Sequence, residues 1–392
     1  MKSICFWVPY VGNIGTIKAT LNGANAIKKY YKSNINIIFF KIYREWNGYD
    51  NIIHDSSFEI VDFKLHKYFK NLPEFGLASR FTMLLIMFYS MPKLIKYFNK
   101  QRPDIIFSYL QGITPVIARF FSKHKPKIIL SIQGLPSFMV NDSVYNGYPF
   151  WKKIEANIRI MLWKLLYLKA DKLIVLTELT RLKMIDFLKS DADKIIYVPN
   201  PVIDESIYQK SLEDIDNKGL LEKYIIAVGR LTAQKDFRTL IRAFNIVSKQ
   251  NNINLLILGE GEDREKLQKM ILDLKLENRV ILYGFAPNPY KFIRKASLFV
   301  LSSLWEDPGH VLMEAAYLKI PIVATNCPND VDKFLMYGKA GYLCEISNAR
   351  DMADKIILAL NNNNDDKVQM AYENSLLFSE FSFSENIKGI IS

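Results

Sequence analysis

The chain has 392 residues, of which 49% are hydrophobic, and its formal net charge is +12. This length is sufficient for two domains, and the hydrophobic fraction excludes an intrinsically disordered chain. The three cysteines, Cys5, Cys327 and Cys344, are odd in number and far apart. They argue against a disulfide framework and against a cysteine metal site, and they favour buried, reduced thiols.

The positive charge is concentrated in the first half of the chain. Residues 1–200 hold 29 of the 52 Lys and Arg residues but only 14 of the 40 Asp and Glu residues. This asymmetry fits an anionic partner such as a membrane surface or a lipid phosphate, and it also fits a basic surface without a partner. The longest apolar run, at 81–91, is about half the length that a membrane-spanning helix requires, so we predict no transmembrane segment.

Short apolar runs alternate with amphipathic stretches along the chain. The predicted strands are at 4–9, 35–40, 104–108, 127–132, 172–176 and 195–198, and then at 224–228, 254–258, 280–283, 298–301 and 321–324. Because the runs are continuously apolar and helical stretches separate them, they predict parallel sheets covered on both faces. We therefore predict an α/β protein with two Rossmann-like domains whose parallel sheets face each other across a cleft.

The sequence VPNPVIDES at 198–206 interrupts this alternation with two prolines and a polar continuation. It predicts a domain boundary, which we place after residue 204. The second domain then covers residues 205–375. We expect the remaining segment, 376–392, to pack back on the first domain.

Two stretches of the first half, at 77–100 and 151–170, combine apolar residues with lysines and arginines. Each is predicted to be a helix. Such a helix either covers the sheet of a Rossmann-like domain or lies in the surface of an anionic bilayer, and the sequence leaves both interpretations open.

The sequence SSLWEDPGHVLMEAAYLKIPIVAT at 302–325 follows a predicted strand and leads into a predicted helix. The amides of Gly309, His310 and Val311 begin this helix, so they lack partners within it and lie at the positive end of its dipole. Ligands of open α/β sheets bind where strands end and helices begin, so these amides predict an anion site suited to a diphosphate.

Two glutamates lie on either side of that helix start. Glu306 precedes it in the loop, and Glu314 follows about one turn inside the helix. A carboxylate can accept hydrogen bonds from both hydroxyls of a diol, so the pair could hold the two sugars of a nucleotide sugar. Alternatively, the helix dipole alone favours Glu314, and Glu306 is a solvated loop residue.

A second strand-to-helix junction carries positive charge. The sequence YIIAVGRLTAQKDFRTLIRAF at 224–244 ends a strand at Gly229 and places Arg230 and Lys235 before the next helix. A planar guanidinium and a compact ammonium beside a helix start can neutralise a leaving diphosphate. The alternative is that both are surface cations in an ordinary loop.

Taken together, these motifs resemble glycosyltransferase family 4, a group of retaining enzymes with the GT-B fold. The resemblance covers nearly all of residues 222–360. It is carried by the E-x7-E pair Glu306 and Glu314, and by VGRLTAQKDFRTLIRAF, LLILGEGEDREKLQ, VILYGFAPNPYKFIRKASLFVLSSLWEDPGHVLMEA and IPIVATNCPND.

The resemblance implies a role for each motif residue. Arg230 and Lys235 would bind the donor diphosphate, and Glu306 would lie at the donor sugar. We therefore count these three as catalytic residues. The remaining donor-binding residues follow from the same resemblance: Glu314 for the ribose; the amides of Gly309, His310 and Val311 for phosphate or sugar; Gly284 and Phe285 for the base pocket.

The first half of the chain resembles the family less closely. Gly15, within GNIGTIKATLNGANAI, aligns with the second glycine of the family's glycine loop, and Gly12 could share its role. Lys18 aligns with a frequent basic position. Gln133 stands where many members have a histidine, and an amide can hydrogen-bond a sugar hydroxyl but cannot titrate. We assign Gln133 and Lys18 to the acceptor site.

The implied reaction transfers a sugar, with retention, from a UDP- or GDP-sugar to a glycan or polyprenyl-diphosphate-linked acceptor in polysaccharide or O-antigen assembly. No DxD-type signature is evident, so we predict no metal and no cofactor beyond the donor. We expect a cytoplasmic protein, either free or peripheral at the inner face of the membrane, without nucleic acid as a partner. The alternatives are another enzyme on this fold, such as a sugar-nucleotide epimerase or a phosphorylase, and a non-catalytic binding protein with a basic surface.

Overall fold

A computed structural model describes residues 2–8, 15–31, 35–46, 58–69, 72, 78–109, 112–135, 139, 145–190, 192–215, 223–306 and 309–391. The chain divides into two compact units. The first contains Met1–Pro201 and Phe383–Ser392, and the second contains Val202–Ser382. The sequence had placed the two boundaries after 204 and after 375, close to where the chain passes between the units.

The first unit is built on a parallel sheet, which has seven strands in the described part of the chain. Its order, β3-β2-β1-β4-β5-β6-β7, reverses between β1 and β4. The strands are β1 Lys2–Trp7, β2 Ile35–Lys41, β3 Glu59–Asp62, β4 Ile105–Ser108, β5 Lys127–Ile132, β6 Lys172–Val175 and β7 Ile195–Tyr197. The central strands are buried on both faces, which explains their continuous apolar sequences.

Helices cover both faces of this sheet. They are α1 Gly15–Tyr30, α2 Ala78–Gln101, α3 Thr114–Phe121, α4 Phe150–Tyr167 and α5 Glu178–Leu188. Buried side chains of α2, α3, α4 and α5 form one hydrophobic cluster with one face of the sheet, whereas α1 packs in the cluster on the other face. This arrangement follows from right-handed crossovers on either side of the order reversal.

The last helix of the described chain, α14 Glu380–Ile391, completes the first unit. Its buried residues Phe383, Ile387, Ile390 and Ile391 lie in the same cluster as α1. Lys127 Nζ donates to Ile390 O at 2.5 Å, and Lys2 Nζ donates to Ile391 O at 2.5 Å. Residues 376–382, which the sequence had also assigned to this packing, belong instead to the second unit.

Residues 376–382 belong to the second unit because Val202 and Ile203, the first residues of that unit, hydrogen-bond to Phe378. The backbone N–H groups of Val202 and Ile203 both donate to Phe378 O, at 2.8 and 3.0 Å. Phe378 packs edge-on against Phe334, with ring centroids 5.7 Å apart. The chain therefore leaves the second unit only after Ser382.

The second unit contains another all-parallel sheet, with the order β10-β9-β8-β11-β12-β13. Its strands are β8 Tyr224–Val228, β9 Asn254–Leu258, β10 Val280–Gly284, β11 Leu298–Leu301, β12 Ile322–Thr325 and β13 Tyr342–Cys344. Its helices are α6 Glu205–Ser211, α7 Phe237–Val247, α8 Arg264–Asp273, α9 Tyr290–Lys295, α10 His310–Tyr317, α11 Val331–Phe334, α12 Ala349–Asn361 and α13 Asp365–Ser375. The strand order reverses between β8 and β11.

All three cysteines are buried and free, as the sequence predicted. Burial raises the pKa of Cys327 and of Cys344 to about 12, and it raises the pKa of Cys5 further. The thiols therefore stay protonated at neutral pH. Among the described residues, we find no helix with the length and apolarity needed to cross a bilayer.

The buried carboxyl group of Glu45 makes the stability of the first unit depend on pH. It lies in the turn that follows β2, where it accepts hydrogen bonds from the backbone N–H groups of Ile42 and Tyr43 at 2.9 and 2.7 Å. Burial outweighs these bonds and raises the pKa of Glu45 from 4.5 to about 7. The folded state thus holds this proton more tightly than the unfolded state.

We therefore expect stability that is fully present below pH 4.5 to be lost as the pH rises through about 7, by about 3 kcal/mol in total. The measurement is the urea-unfolding free energy at pH 5, 6, 7 and 8, followed by tryptophan fluorescence. Glu45→Gln should remove this decrease, and the exposed Glu59→Gln should retain it. Parallel pH profiles for wild type and Glu45→Gln would contradict the assignment.

Candidate functional site

The candidate site lies in the second unit, at the carboxyl ends of the adjacent strands β8 and β11. The strand order reverses between these two strands, and ligands of open α/β sheets bind at such a position. The loop after β8 carries Arg230 and Lys235, and the loop after β11 carries Glu306. The two motifs that the sequence singled out therefore follow neighbouring strands.

Glycines let two backbone segments, the loops after β8 and β9, approach closely at this edge. A Cβ atom at Gly259, whose φ is +142°, would lie 1.9 Å from Gly229 O. A Cβ atom at Gly261 would lie 2.4 Å from Leu231 O. Since no side chain fits at either position, the loop after β9 packs directly on the backbone of the loop after β8 and fixes its course.

Lys235 and Glu306 form an ion pair at the centre of the site. Lys235 Nζ lies 2.5 Å from Glu306 Oε1, and the two side chains are only 16% and 4% exposed. The lysine stem packs over Gly229, where a Cβ atom would lie 3.1 Å from Lys235 Cε. Glu306 is thus a buried, paired carboxylate, and the alternative of a solvated loop residue is wrong.

Sequence reasoning missed the three residues that hold Glu306 in place. Ser303 is fully buried, and its hydroxyl donates to Glu306 Oε1. Thr325 Oγ1 donates to Ser303 O at 2.6 Å, which fixes the loop. Asn329 Nδ2 donates to Glu306 O at 2.6 Å from a backbone with φ +79°. The polar residues that follow β12 in the sequence could have indicated Asn329, but the sequence does not show that Asn329 contacts Glu306.

The loops after β8 and β11 are also bonded to each other. Ser302 Oγ donates to Lys235 O at 2.6 Å, and Leu304 N donates to Gln234 O at 2.8 Å. Gln234 Nε2 donates to Trp305 O at 2.9 Å. The cation and the carboxylate are therefore carried by one connected framework rather than by two independent loops.

Arg230 differs from Lys235 in being exposed. Within the described residues, its guanidinium makes no hydrogen bond and no ion pair. The residues on either side of Arg230 are hydrogen-bonded to the end of β9 and to the loop that follows it. Gly229 N donates to Leu258 O, and Leu231 N donates to Glu260 O. The backbone at Arg230 is thus fixed while its side chain can reach a ligand.

Helix α10 begins where the sequence predicted. Gly309 caps it with φ +75°, and a Cβ atom there would lie 3.1 Å from Glu306 Cγ. This contact joins the helix start to the ion pair. His310 and Val311 form the first turn, and their contact with a diphosphate stays a prediction.

Glu314 lies on α10 and accepts a hydrogen bond from Tyr290 Oη at 2.9 Å. Gly284 ends β10 with φ +95°, and its carbonyl accepts from Gly259 N at 2.8 Å. This bond connects the end of β10 to Gly259, which packs on the loop after β8. Phe285, the next residue, is 72% exposed, which leaves its ring available to a ligand.

The predicted residues of the first unit are described within that unit. Gly15 is the first residue of α1, Lys18 lies in its first turn, and Gly12 falls outside the described residues. Gln133 follows β5 and exchanges hydrogen bonds with the buried Asn200: Asn200 Nδ2 donates to Gln133 Oε1 at 2.8 Å. Gln133 Nε2 also donates to Ser131 Oγ at 2.6 Å. Sequence reasoning did not single out Asn200.

No metal centre is apparent in the described part of the chain, where no three His, Cys, Asp or Glu side chains are grouped to hold an ion. Metal independence stays a prediction. Asp263 is buried and pairs with Lys266 at 2.7 Å and Arg238 at 3.6 Å.

Two Rossmann-like units with all-parallel sheets define the GT-B fold of glycosyltransferases, as the sequence predicted. The solved structure of HepE from Anabaena in complex with UDP and glucose superimposes with a TM-score of 0.74 at 14% identity, over 100% of this chain and 99% of that one. The family model described as "Glycosyl transferases group 1" matches residues 211–375, and "Glycosyltransferase Family 4" matches residues 66–206. The chain belongs to this glycosyltransferase family.

Two curated relatives are named as sugar transferases. An uncharacterized glycosyltransferase of Methanocaldococcus jannaschii is 31% identical over 279 residues, which are 67% of this chain and 63% of the relative. A second relative, from Campylobacter jejuni, is N-acetylgalactosamine-N,N'-diacetylbacillosaminyl-diphospho-undecaprenol 4-alpha-N-acetylgalactosaminyltransferase. It is 32% identical over 210 residues, 54% of this chain and 55% of the relative. The chain thus spans less than two thirds of either relative.

Proposed function

We propose that this protein is a retaining glycosyltransferase that moves a sugar from a UDP- or GDP-sugar to a glycan or lipid-linked glycan acceptor. The observation that carries the proposal is the buried Lys235–Glu306 pair beside the start of α10, at the strand-order reversal of the second unit. The HepE complex with UDP and glucose and the diphospho-undecaprenol substrate in the name of the Campylobacter relative support it.

The chemistry assigned to this site is mainly electrostatic. The bond between the anomeric carbon and the β-phosphate oxygen breaks while a bond to the acceptor hydroxyl oxygen forms. Lys235, Arg230 and the first amides of α10 stabilise the negative charge that develops on the leaving diphosphate. The acceptor proton passes to a leaving phosphate oxygen, so the reaction needs neither a metal nor a protein base.

The two glutamates fasten the donor on either side of its diphosphate. Glu306, which Ser303 and Asn329 hold in position, is assigned to the donor-sugar hydroxyls. Glu314 is assigned to the ribose hydroxyls, and Gly284 and Phe285 to the base. Gly15 is assigned to the donor, and Lys18 and Gln133 to the acceptor.

We place the reaction in polysaccharide or O-antigen biosynthesis, at the cytoplasmic face of the membrane. The polyprenyl-diphosphate carrier in the name of the Campylobacter relative supports a lipid-linked acceptor. The excess of Lys and Arg in residues 1–200 supports an anionic membrane surface as a partner. Nucleic acid is not part of this proposal.

A thermal-shift screen against UDP-, GDP-, ADP- and TDP-sugars tests the donor assignment. We expect one nucleotide class to raise Tm selectively, and we expect Arg230→Ala to weaken that binding at least tenfold. Arg242→Ala, an exposed arginine on α7, is the matched control and should bind as wild type does. No shift with any donor, or an equal shift in Arg230→Ala, would contradict the proposal.

A second measurement separates transfer from epimerisation. Incubated with its donor alone, an epimerase would convert the sugar while it remains on the nucleotide. The transferase proposed here should leave the nucleotide sugar intact until a glycan acceptor is added. Mass spectrometry of both mixtures distinguishes these outcomes.

A further inference from the structure

Helix α2 presents large apolar side chains to the outside of the first unit, in addition to those that it buries in the core. Phe81, Leu84 and Phe88 are 63%, 53% and 70% exposed. On the opposite side of the same helix, Thr82 and Ser90 are fully buried. The same inner side also buries Ile86, Leu94 and Phe98, so α2 is apolar on both sides, whereas an ordinary helix that covers a sheet turns a polar face to water.

Helix α4 carries a second exposed apolar stripe. Its inner side packs in the core, where Trp163 and Tyr167 are buried in the hydrophobic cluster on one face of the sheet. Yet apolar residues recur along its outer side at intervals of one to four positions. The exposed members are Phe150, Trp151, Ile154, Ile158, Met161, Leu162 and Leu165, all at least 40% exposed.

The two stripes lie on one side of the first unit. Buried residues of α2 and α4 belong to the same hydrophobic cluster, which packs against one face of the sheet. The outer faces of both helices therefore point away from the same face of that sheet. Contiguous exposed apolar surface of this kind marks an interaction site in a folded protein.

The charges beside the stripes indicate the chemistry of the partner. Helix α2 contains no acidic residue, and its Lys96 and Lys100 are exposed. On α4 the single acidic residue, Glu155, is paired with Arg159 at 2.8 Å, which leaves an excess of lysines. Lys152 lies beside the exposed Trp151, 5.3 Å from its ring centroid. Apolar stripes flanked by aromatics and lysines are typical of helices that lie in an anionic lipid interface.

We propose that the outer faces of α2 and α4 form a docking surface for an anionic lipid bilayer. A protein partner would need to offer a matching apolar groove to each stripe, whereas a bilayer takes up stripes on separate helices without one. The purpose of this surface, which is to bring the enzyme to a membrane-borne acceptor, rests on the proposed function. Lipid binding itself requires neither donor nor acceptor.

The test is co-sedimentation of the full chain with vesicles, without nucleotide sugar. One set of vesicles is phosphatidylcholine, and the other is an equal mixture of phosphatidylcholine and phosphatidylglycerol. We expect at least tenfold stronger binding to the anionic vesicles, and weaker binding as NaCl rises from 50 to 500 mM. Equal binding to both vesicle types, or no binding, overturns the proposal.

Matched variants locate the surface. A stripe variant, Ile154→Ser/Ile158→Ser/Leu165→Ser, and its α2 counterpart, Phe81→Ser/Leu84→Ser/Phe88→Ser, should each lower anionic-vesicle binding at least tenfold. The control Lys269→Gln/Leu272→Ser changes an exposed lysine and a 54% exposed leucine on α8 of the second unit, and it should bind as wild type does. Only solvent-exposed side chains are changed, so we expect each variant to fold. Circular dichroism and Tm check this.

The outcomes also separate this inference from the proposed function. Unchanged vesicle binding in both stripe variants overturns the docking surface, whatever the transferase activity. Concentration-dependent self-association that the stripe variants abolish, without vesicle binding, overturns it in favour of a second copy of the chain. Vesicle binding that the variants abolish supports it, even if no sugar transfer is detected.

Discussion

Lys235→Met should lower kcat/KM for sugar transfer by about 10²–10³-fold, the loss expected when one buried electrostatic contact to a developing charge is removed. Lys235 is the less exposed of the two cations at the site, and the backbone around it is fixed by Ser302 and by the close packing at Gly229. Its charge therefore needs little reorganisation to meet a diphosphate. The measurement is the initial rate of nucleoside diphosphate release with a saturating acceptor.

The same substitution should also destabilise the second unit. Glu306 is 3% exposed, and loss of its cation leaves a buried carboxylate without a counter-charge, at a cost of about 3–5 kcal/mol. The double variant Lys235→Met/Glu306→Gln removes both charges. We expect it to recover most of the thermal stability while remaining inactive, which separates folding from catalysis.

Lys249→Met, at an exposed lysine that follows α7, serves as the control and should change neither quantity. Two results would contradict the assignment. One is a single variant that keeps wild-type activity, and the other is a double variant that recovers activity together with stability.

Glu314→Gln should raise the KM for the nucleotide sugar by about 10–100-fold with a smaller change in kcat. A hydrogen bond to a charged acceptor contributes about 1.5–3 kcal/mol, and the proposed ribose contact is made in both the ground state and the transition state. Tyr290 Oη donates to the same carboxylate and orients it. The measurement is steady-state kinetics with the donor that the thermal-shift screen identifies.

A 2′-deoxyribose analogue of the nucleotide makes this test specific. Wild type should bind the analogue more weakly than the parent nucleotide, and Glu314→Gln should bind both with similar affinity. Glu265→Gln, at an exposed position on α8, should behave as wild type in both comparisons. If the variant still discriminates between the two nucleotides as wild type does, Glu314 does not hold the ribose.

The sheets were largely readable from the sequence because their central strands are apolar on both faces. The strands missed are β3, Glu59–Asp62, and β13, Tyr342–Cys344. Both lie at a sheet edge. β3 is half exposed and acidic at both ends, and β13 has only three residues, so neither produces the continuous apolar run that identifies a buried strand.

The sequence indicated individual residues of the site but not the contacts between them. The positions of Lys235 and Glu306 at two strand ends follow from local pattern, but their direct pairing joins residues 71 positions apart. Asn329 reaches Glu306 through a backbone with positive φ that its sequence does not specify. The orientation of α2 was likewise hidden, because a helix with apolar residues on both sides gives no preferred inner face.

The packing of α14 in the first unit has a consequence for folding during synthesis. The cluster around α1 stays uncovered until Phe383, Ile387 and Ile390 have left the ribosome, whereas the sheet of the second unit is complete once β13 has emerged. The unit that is translated first is therefore the one that finishes folding last. Until then its hydrophobic surface is open to chaperones and to aggregation.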